Sequence, residues 1–211
     1  VPADIDNDGD TDLIGGNLGR NTMLTAGVKE PMLLYLNDLD NNGSTDPLLC
    51  TYRNGVCYPV ATFDELAAQL PDLKRRFSSY GEFAGKTAHE LFGDAINNAP
   101  VKRAMLLESC LFRNEGNGTF SIVPLPVEAQ FSPIRSVVAE DVNHDGMKDL
   151  IVAGNEYAVR PSLGRYDASY GWCMLADSGG SYRALMPPQS GLVIRGDARR
   201  LLPLTIAGKE Y

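Results

Sequence analysis

Three nonapeptides of this chain carry oxygen-bearing side chains at a spacing that suits a divalent cation. In the segment Asp141–Asp149 these side chains fall at positions 1, 3, 5 and 9, and glycine stands at position 6. In a chain that curls round a cation, alternate side chains point inward, and Gly146 can take the positive φ that reverses the chain. If Asp149 binds through both of its oxygens, these side chains and the backbone carbonyl of position 7 supply about six oxygens, which suits Ca²⁺ better than Mg²⁺.

The same spacing occurs in Asp4–Asp12 and Asp38–Asp46, and each nonapeptide runs into a short apolar segment. We call Asp4–Asp12 loop 1, Asp38–Asp46 loop 2 and Asp141–Asp149 loop 3. The predicted ligands, including the carbonyls of position 7, are Asp4, Asp6, Asp8, Asp10, Asp12, Asp38, Asp40, Asn42, Ser44, Asp46, Asp141, Asn143, Asp145, Met147 and Asp149. Acidic turns that hold no metal are the alternative interpretation. An EF-hand is excluded, because none of the loops has the glutamate that it requires at position 12.

These residues carry a family resemblance. The pattern Asp-x-Asp-x-Asp-Gly-x-x-Asp-Leu followed by an apolar strand resembles the calcium loop of FG-GAP and VCBS repeats, which build integrin-type β-propellers. The segment Asn114–Phe120 is similar to the hairpin that such repeats carry between loops. The order of these parts looks most like the bacterial VCBS proteins that also bear an ASPIC/UnbV module, although no segment here matches that module. The resemblance implies three calcium sites on a propeller and says little about function.

The predicted fold is all-β: a partial or open β-propeller that forms one domain over residues 1–211. Short strands separated by turn residues recur along the chain, the last of them over Arg200–Ala207. A helical insertion is predicted over residues 62–98, where Thr62, Ser79 and Thr87 each precede a glutamate by three residues, as in a capping box. An open propeller leaves strand edges unpaired, so self-association through these edges is expected.

Charge and composition limit the classes of partner that the sequence predicts. The chain has 211 residues and a net charge of −8, and the acidic residues concentrate in the three loops. Nucleic acid is not expected as a partner, because no basic stripe extends beyond Lys74-Arg75-Arg76. No apolar run is long enough to span a membrane. The absence of an initiator Met and of a signal peptide suggests an excised piece or a processed product of a longer protein. The calcium loops and the family resemblance imply a place outside the cell, on its surface or in the periplasm, because millimolar extracellular calcium would suffice for such sites.

The four cysteines are predicted to be free and mostly buried. An Asn54-Gly55 turn makes a hairpin in which Tyr52 lies opposite Cys57, and Cys50 lies opposite Pro59. Cys50 and Cys57 are then diagonal neighbours at about 7 to 8 Å, beyond comfortable disulfide reach.

A second candidate site is the long segment between Asn155 and Trp172, which carries three tyrosines, a tryptophan and two arginines. These residue types are enriched in binding interfaces. The candidate interface residues are Arg160, Arg165, Tyr166, Asp167, Tyr170 and Trp172. The alternative is that Arg165, Tyr166 and Asp167 form an internal brace that locks the loop onto its strand.

These features favour a non-catalytic function. The chain shows no nucleophile with a neighbouring base, and loop carboxylates that bind calcium would be unavailable as general acids or bases. The predicted function is a calcium-binding extracellular scaffold that binds a protein or a carbohydrate, for example in adhesion. The alternative function is the substrate-binding accessory part of a carbohydrate-active enzyme, with residues 160–172 lining a groove.

Overall fold

A computed structural model describes residues 1–206 and 209–210, and its side chains up to residue 204. Its contacts divide the chain into two compact units. Unit 1 comprises Val1–Thr22 and the chain from Glu108 onward, and unit 2 comprises Met23–Leu107. The prediction of a single propeller-like domain stays a prediction.

The described chain is mostly β, so the all-β prediction is confirmed: it forms three four-stranded antiparallel sheets and one two-stranded pair. The strands are β1 (Pro2–Ala3), β2 (Asp12–Gly15), β3 (Met32–Asn37), β4 (Asp46–Arg53), β5 (Val56–Pro59), β6 (Val101–Ala104), β7 (Cys110–Asn114), β8 (Phe120–Pro124), β9 (Ile134–Glu140), β10 (Asp149–Gly154), β11 (Trp172–Ala176), β12 (Tyr182–Leu185), β13 (Thr205–Ile206) and β14 (Lys209–Glu210). β13 lies within the strand predicted over Arg200–Ala207, whose end at residue 207 lies outside the described residues.

Unit 1 holds two of the four-stranded sheets, ordered β1-β2-β7-β8 and β9-β10-β11-β12. Both are antiparallel meanders. In the first sheet, the chain forms all of unit 2 between strands β2 and β7. Alternate residues of the strands face a common core. This core includes Ile14, Leu111, Leu150, Val152 and Met174, each no more than 2% exposed.

Unit 2 holds the third sheet, ordered β5-β4-β3-β6. Five short helices follow β5: α1 (Phe63–Gln69), α2 (Leu73–Arg76), α3 (Tyr80–Phe83), α4 (Ala88–Phe92) and α5 (Asp94–Asn97). In unit 1 a 3-10 helix spans Val127–Gln130 and α6 spans Pro187–Ser190. The helices of unit 2 bury Leu66, Leu73 and Leu91 in one apolar cluster with Leu48 and Cys50 of β4.

The ends of these helices follow the predicted capping pattern with one difference. Thr62 and Thr87 form complete capping boxes with Glu65 and Glu90. At α3 the Ser79 side chain accepts the backbone N–H of Glu82, but the Glu82 carboxylate accepts the N–H of Ser78 rather than that of Ser79.

The hairpin that carries two of the cysteines has the predicted register, with Tyr52 opposite Cys57 and Cys50 opposite Pro59. Asn54 and Gly55 have φ values of 53° and 80°, as a tight two-residue turn requires. All four cysteines are free, as predicted, and only Cys57 is partly exposed.

Candidate metal centre

Each of the three loops connects two adjacent antiparallel strands in the same way. Position 9 is the first residue of the strand that leaves the loop, β2, β4 or β10. It lies opposite the residue just before position 1, in the pairs Ala3 and Asp12, Asn37 and Asp46, and Glu140 and Asp149. The three nonapeptides are therefore structurally equivalent hairpin connections.

The backbone of each loop turns left-handed at positions 4 and 6. The φ values are 60° at Asn7 and 93° at Gly9, 60° at Asn41 and 88° at Gly43, and 62° at His144 and 91° at Gly146. Glycine takes such angles without steric cost, and asparagine and histidine take them more readily than most residues do. The prediction of a positive φ at Gly146 is confirmed.

The position-1 carboxylates hold the turn of their loops. Asp38 accepts the N–H groups of Asn42 at 3.0 Å and Gly43 at 2.8 Å. Asp141 accepts those of Asp145 at 3.1 Å and Gly146 at 2.9 Å. These N–H groups favour the charged carboxylate. The N–H of Gly43 accordingly lowers the pKa of Asp38, and the N–H of Gly146 lowers the pKa of Asp141.

The position-9 carboxylates are buried at the base of each loop. Asp12 and Asp149 are 0% exposed, and Asp46 is 5% exposed. In every loop one oxygen of this carboxylate accepts the N–H of position 2, at 3.1 Å from Ile5, 2.9 Å from Leu39 and 3.0 Å from Val142. The buried charge is thus compensated by backbone donors.

The second oxygen of position 9 reaches a different part of the fold in each loop. Asp12 accepts the backbone N–H of Asn114 at 2.7 Å, and Asp149 accepts that of Ala176 at 2.8 Å. Asn114 and Ala176 are the last residues of β7 and β11, the third strands of their sheets. In unit 2 this donor is the side-chain amide of Gln69 in α1, 3.1 Å from Asp46. In unit 2, a helix side chain therefore provides the second hydrogen-bond donor to position 9, whereas in unit 1 the backbone of a third strand provides it.

Two of the loops gather carboxylates closely enough to share a cation. One oxygen each of Asp4, Asp6 and Asp8 lie within 4.8 Å of one another, and so do oxygens of Asp38, Asp40 and Asp46. The Oδ1 atoms of Asp4 and Asp6 are buried without a hydrogen-bond partner. Burial, followed by the charges of Asp12 and Asp8, raises the pKa of Asp6. A bound cation would provide a partner for these two unpaired oxygens, so the residues present fit a divalent metal.

Loop 3 has asparagine at position 3, and this residue forms hydrogen bonds with position 5 of the same loop. The Asn143 amide donates to Asp145 Oδ2 at 2.8 Å, and its Oδ1 accepts the N–H of Asp145 at 3.0 Å. In all three loops the N–H of the position-7 residue, Asp10, Ser44 or Met147, donates to the position-5 side chain at 2.8 to 2.9 Å. In loop 3 the side chains of positions 1 and 3 therefore accept the same backbone N–H, that of Asp145.

Of the six candidate interface residues, one is buried, one is half-buried and four are exposed. Tyr166 is 9% exposed, and its hydroxyl lies 2.9 Å from Thr22 Oγ1. Its backbone pairs with Glu156, and its carbonyl accepts the hydroxyl of Ser132 at 2.8 Å. The buried Asn155 amide ties the other end of the segment to the carbonyls of Ser169 and Gly196. Tyr166 therefore braces the segment.

The other candidate interface residues lie nearer the solvent. Arg160, Arg165, Asp167 and Tyr170 are exposed, with Tyr170 at 55%. Arg165 stacks over the ring of Tyr157 at 5.1 Å. Trp172 is half-buried and meets the ring of Phe131 edge-on at 6.2 Å. Whether these residues bind a partner stays a prediction.

Sequence reasoning missed several residues that support the loops. Arg113 Nε lies 3.4 Å from Asp6 Oδ2, and the Asn7 amide reaches Gly146 in loop 3. Asparagine at position 4 of loops 1 and 2 was a local signal, because asparagine tolerates the left-handed conformation. Arg113 and Gln69 gave no such signal, since their partners lie far away along the chain.

In the part of the chain that the structure describes, no helix has the length and apolar character needed to cross a lipid bilayer. Comparisons of the chain with known protein families, with curated proteins and with solved structures find no match.

Proposed function

We propose that this chain is a calcium-binding scaffold of the FG-GAP/VCBS type, part of an extracellular β-propeller that binds a protein or carbohydrate without catalysing a reaction. The observation that carries the proposal is the recurrence of one loop geometry at three hairpins. In each hairpin, positions 4 and 6 are left-handed, and the position-9 carboxylate is buried against the N–H of position 2.

Under this proposal the ligands of each ion are the side chains of positions 1, 3, 5 and 9 together with the carbonyl of position 7. Bound Ca²⁺ supplies positive charge that neutralises the carboxylates and holds the turn. In loop 1 the orphaned oxygens of Asp4 and Asp6 support this assignment. The position-9 carboxylate orients the loop through its two N–H contacts and presents its remaining lone pairs to the ion.

The strand arrangement supports the propeller part of the proposal. Both sheets of unit 1 are four-stranded antiparallel meanders, which is the usual form of a propeller blade. In both sheets the candidate calcium loop joins the first strand to the second. Unit 1 thus contains two copies of one blade-like element.

The exposed members of the 155–172 segment support a binding surface. Tyr157 and Tyr170 are 39% and 55% exposed, and Arg165 lies over the Tyr157 ring. Exposed aromatic rings beside a guanidinium group suit a protein partner or a sugar ring. The same observation favours the second candidate, an accessory part of a carbohydrate-active enzyme. Binding to a panel of oligosaccharides, compared with the variant Tyr170→Ala, separates carbohydrate ligands from protein ligands.

The calcium part of the proposal is tested by isothermal titration calorimetry of the chelator-treated protein, and by thermal unfolding in CaCl₂ and in EGTA. We expect Ca²⁺ to bind and to raise the melting temperature, because a ligand that binds only the folded state stabilises it by about 2.7 kcal/mol at a hundred times its Kd. The paired variant Asp38→Ala/Asp40→Ala removes two ligands of loop 2 and serves to assign one site.

MgCl₂ at the same concentration is the control for general ionic effects. The proposal fails if millimolar CaCl₂ releases no heat and leaves the melting temperature where EGTA leaves it.

A further inference from the structure

Loops 1 and 3 touch each other directly. The side-chain amide of Asn7, at position 4 of loop 1, donates to the carbonyl oxygen of Gly146 at 3.1 Å and lies 3.3 Å from the sulfur of Met147. Gly146 and Met147 are positions 6 and 7 of loop 3. The contact therefore falls on the peptide group that precedes the predicted carbonyl ligand of loop 3.

Arg113 and Tyr182 provide a second set of contacts between the two loops. Arg113 lies beside Asp6 of loop 1 and donates to the carbonyl of Gly180, in the turn between β11 and β12, at 3.0 Å. The Tyr182 hydroxyl, just after that turn, donates to the carbonyl of Lys148 in loop 3 at 3.0 Å. Burial, followed by the charges of Asp149 and Asp12, raises the pKa of Tyr182. Carboxylates of both loops therefore act on one hydroxyl group.

We propose that calcium binding at loops 1 and 3 is positively coupled through the contact between Asn7 and Gly146, an inference that rests on the function proposed above. A cation in loop 1 would hold its left-handed turn at Asn7 in place. Asn7 then keeps the Gly146–Met147 peptide oriented, so loop 3 loses less conformational freedom when it binds its own ion. Coupling of this kind is reciprocal, so an ion in loop 3 favours loop 1 equally.

Charge does not oppose this coupling. Loop 1 carries aspartate at Asp4, Asp6, Asp8, Asp10 and Asp12, and it stays negative when one divalent ion binds. Loop 3 carries three aspartates and one lysine, so it is neutral overall once it holds an ion. The repulsion between the two bound ions is therefore screened by carboxylates that the ions do not neutralise.

The test is a titration of the metal-free protein with CaCl₂, followed by NMR of the backbone amides of Gly9, Gly43 and Gly146. These glycines occupy position 6 of loops 1, 2 and 3, so each reports on one loop. We expect Asn7→Gly to weaken calcium binding at Gly146 by about fivefold, the effect of one ordinary hydrogen bond. Glycine takes the left-handed backbone without steric cost, and it removes the side chain that carries the amide donor.

Asn41→Gly is the matched control, because Asn41 occupies position 4 of loop 2 with the same φ of 60° as Asn7. It should leave the Gly146 titration unchanged. Disabling loop 1 with Asp6→Ala/Asp8→Ala, which removes two ligand oxygens, should weaken binding at Gly146 about as much as Asn7→Gly does.

The possible results separate the two proposals. Weakening at Gly146 by both Asn7→Gly and the disabled loop 1, but not by Asn41→Gly, supports coupling. If Gly146 titrates with the same midpoint in every variant, coupling is wrong and the calcium sites stand. If no glycine amide responds to millimolar CaCl₂, the calcium sites and the coupling both fail.

Discussion

The Asp149 carboxylate accepts the backbone N–H of Ala176 at 2.8 Å, and this bond joins the base of loop 3 to the end of the neighbouring strand. The other oxygen accepts the N–H of Val142 at 3.0 Å, and the side chain is fully buried. Its role in the fold therefore does not depend on a metal. Position 9 thus has a structural role in the metal-free fold, which distinguishes it from the exposed positions of the loop.

From this arrangement we predict that Asp149→Ala destabilises the metal-free protein by about 3 to 5 kcal/mol, because two N–H groups lose their acceptor. Urea unfolding in EGTA measures the effect without a contribution from calcium. The exposed Asp167→Ala is the control and should change stability by less than about 0.5 kcal/mol. Equal effects of the two substitutions would contradict a structural role for position 9.

Tyr166 and Arg165 are adjacent in the chain but differ in burial, which allows the brace and the interface to be tested separately. Tyr166→Ala should cost about 3 to 5 kcal/mol, as expected for loss of a large buried ring. Tyr166→Phe removes only the hydroxyl near Thr22 and should cost about 1 kcal/mol. Arg165→Ala should leave the melting temperature within about 2 °C of the parent.

A loss of stability in Arg165→Ala as large as in Tyr166→Ala would show that the brace extends to the exposed arginine. If Arg165→Ala keeps its stability and loses binding to a partner, the exposed residues form the interface.

Cys57 should be the most reactive of the four thiols. A hydrogen bond from the Cys50 thiol lowers the pKa of Cys57, whereas burial raises the pKa values of Cys110 and Cys173. A lower pKa gives more thiolate at pH 7.5, and the thiolate is the nucleophile. Iodoacetamide labelling followed by peptide mass spectrometry should therefore modify Cys57 first.

The variant Cys50→Ala removes the hydrogen-bond donor and should slow the labelling of Cys57. Labelling of Cys110 or Cys173 before Cys57 in the folded protein would contradict this ranking.

The helix caps of unit 2 should make its stability fall in acid. Backbone N–H groups of Thr87 and Ser78 lower the pKa values of Glu90 and Glu82 respectively. Because these pKa values are lower in the folded than in the unfolded chain, the stabilisation is complete above the ordinary glutamate value of about 4.3. It is lost as the pH falls through the lowered folded-state values.

Glu90→Gln should therefore be less stable than the parent at pH 7 and equal to it once both carry a neutral side chain, near pH 3. Urea midpoints at the two pH values measure this. Glu30→Gln, at an exposed position of the same unit, is the control and should not change with pH relative to the parent. A constant difference between Glu90→Gln and the parent would contradict the ionised cap.

Local features of the chain were predictable because residues close in sequence decide them. The loops, the glycine turns, the Asn54-Gly55 hairpin and the caps at Thr62 and Thr87 depend on backbone angles and on contacts a few residues apart. The alternation of apolar residues likewise predicted mainly β structure. Periodicity carries no information about which strands become neighbours, so it did not predict the division into two units.

The sequence by itself determined three oxygen-rich turns that enter strands, since their spacing and their glycines act within nine residues. Only the tertiary structure decided that Gln69 takes the place of a strand N–H at Asp46, that Tyr166 is buried, and that Asn7 reaches Gly146. Each of these depends on segments distant in the sequence that come together when the sheets and helices pack. The sequence pattern of one segment cannot encode the position of another, so such contacts appear only in the folded chain.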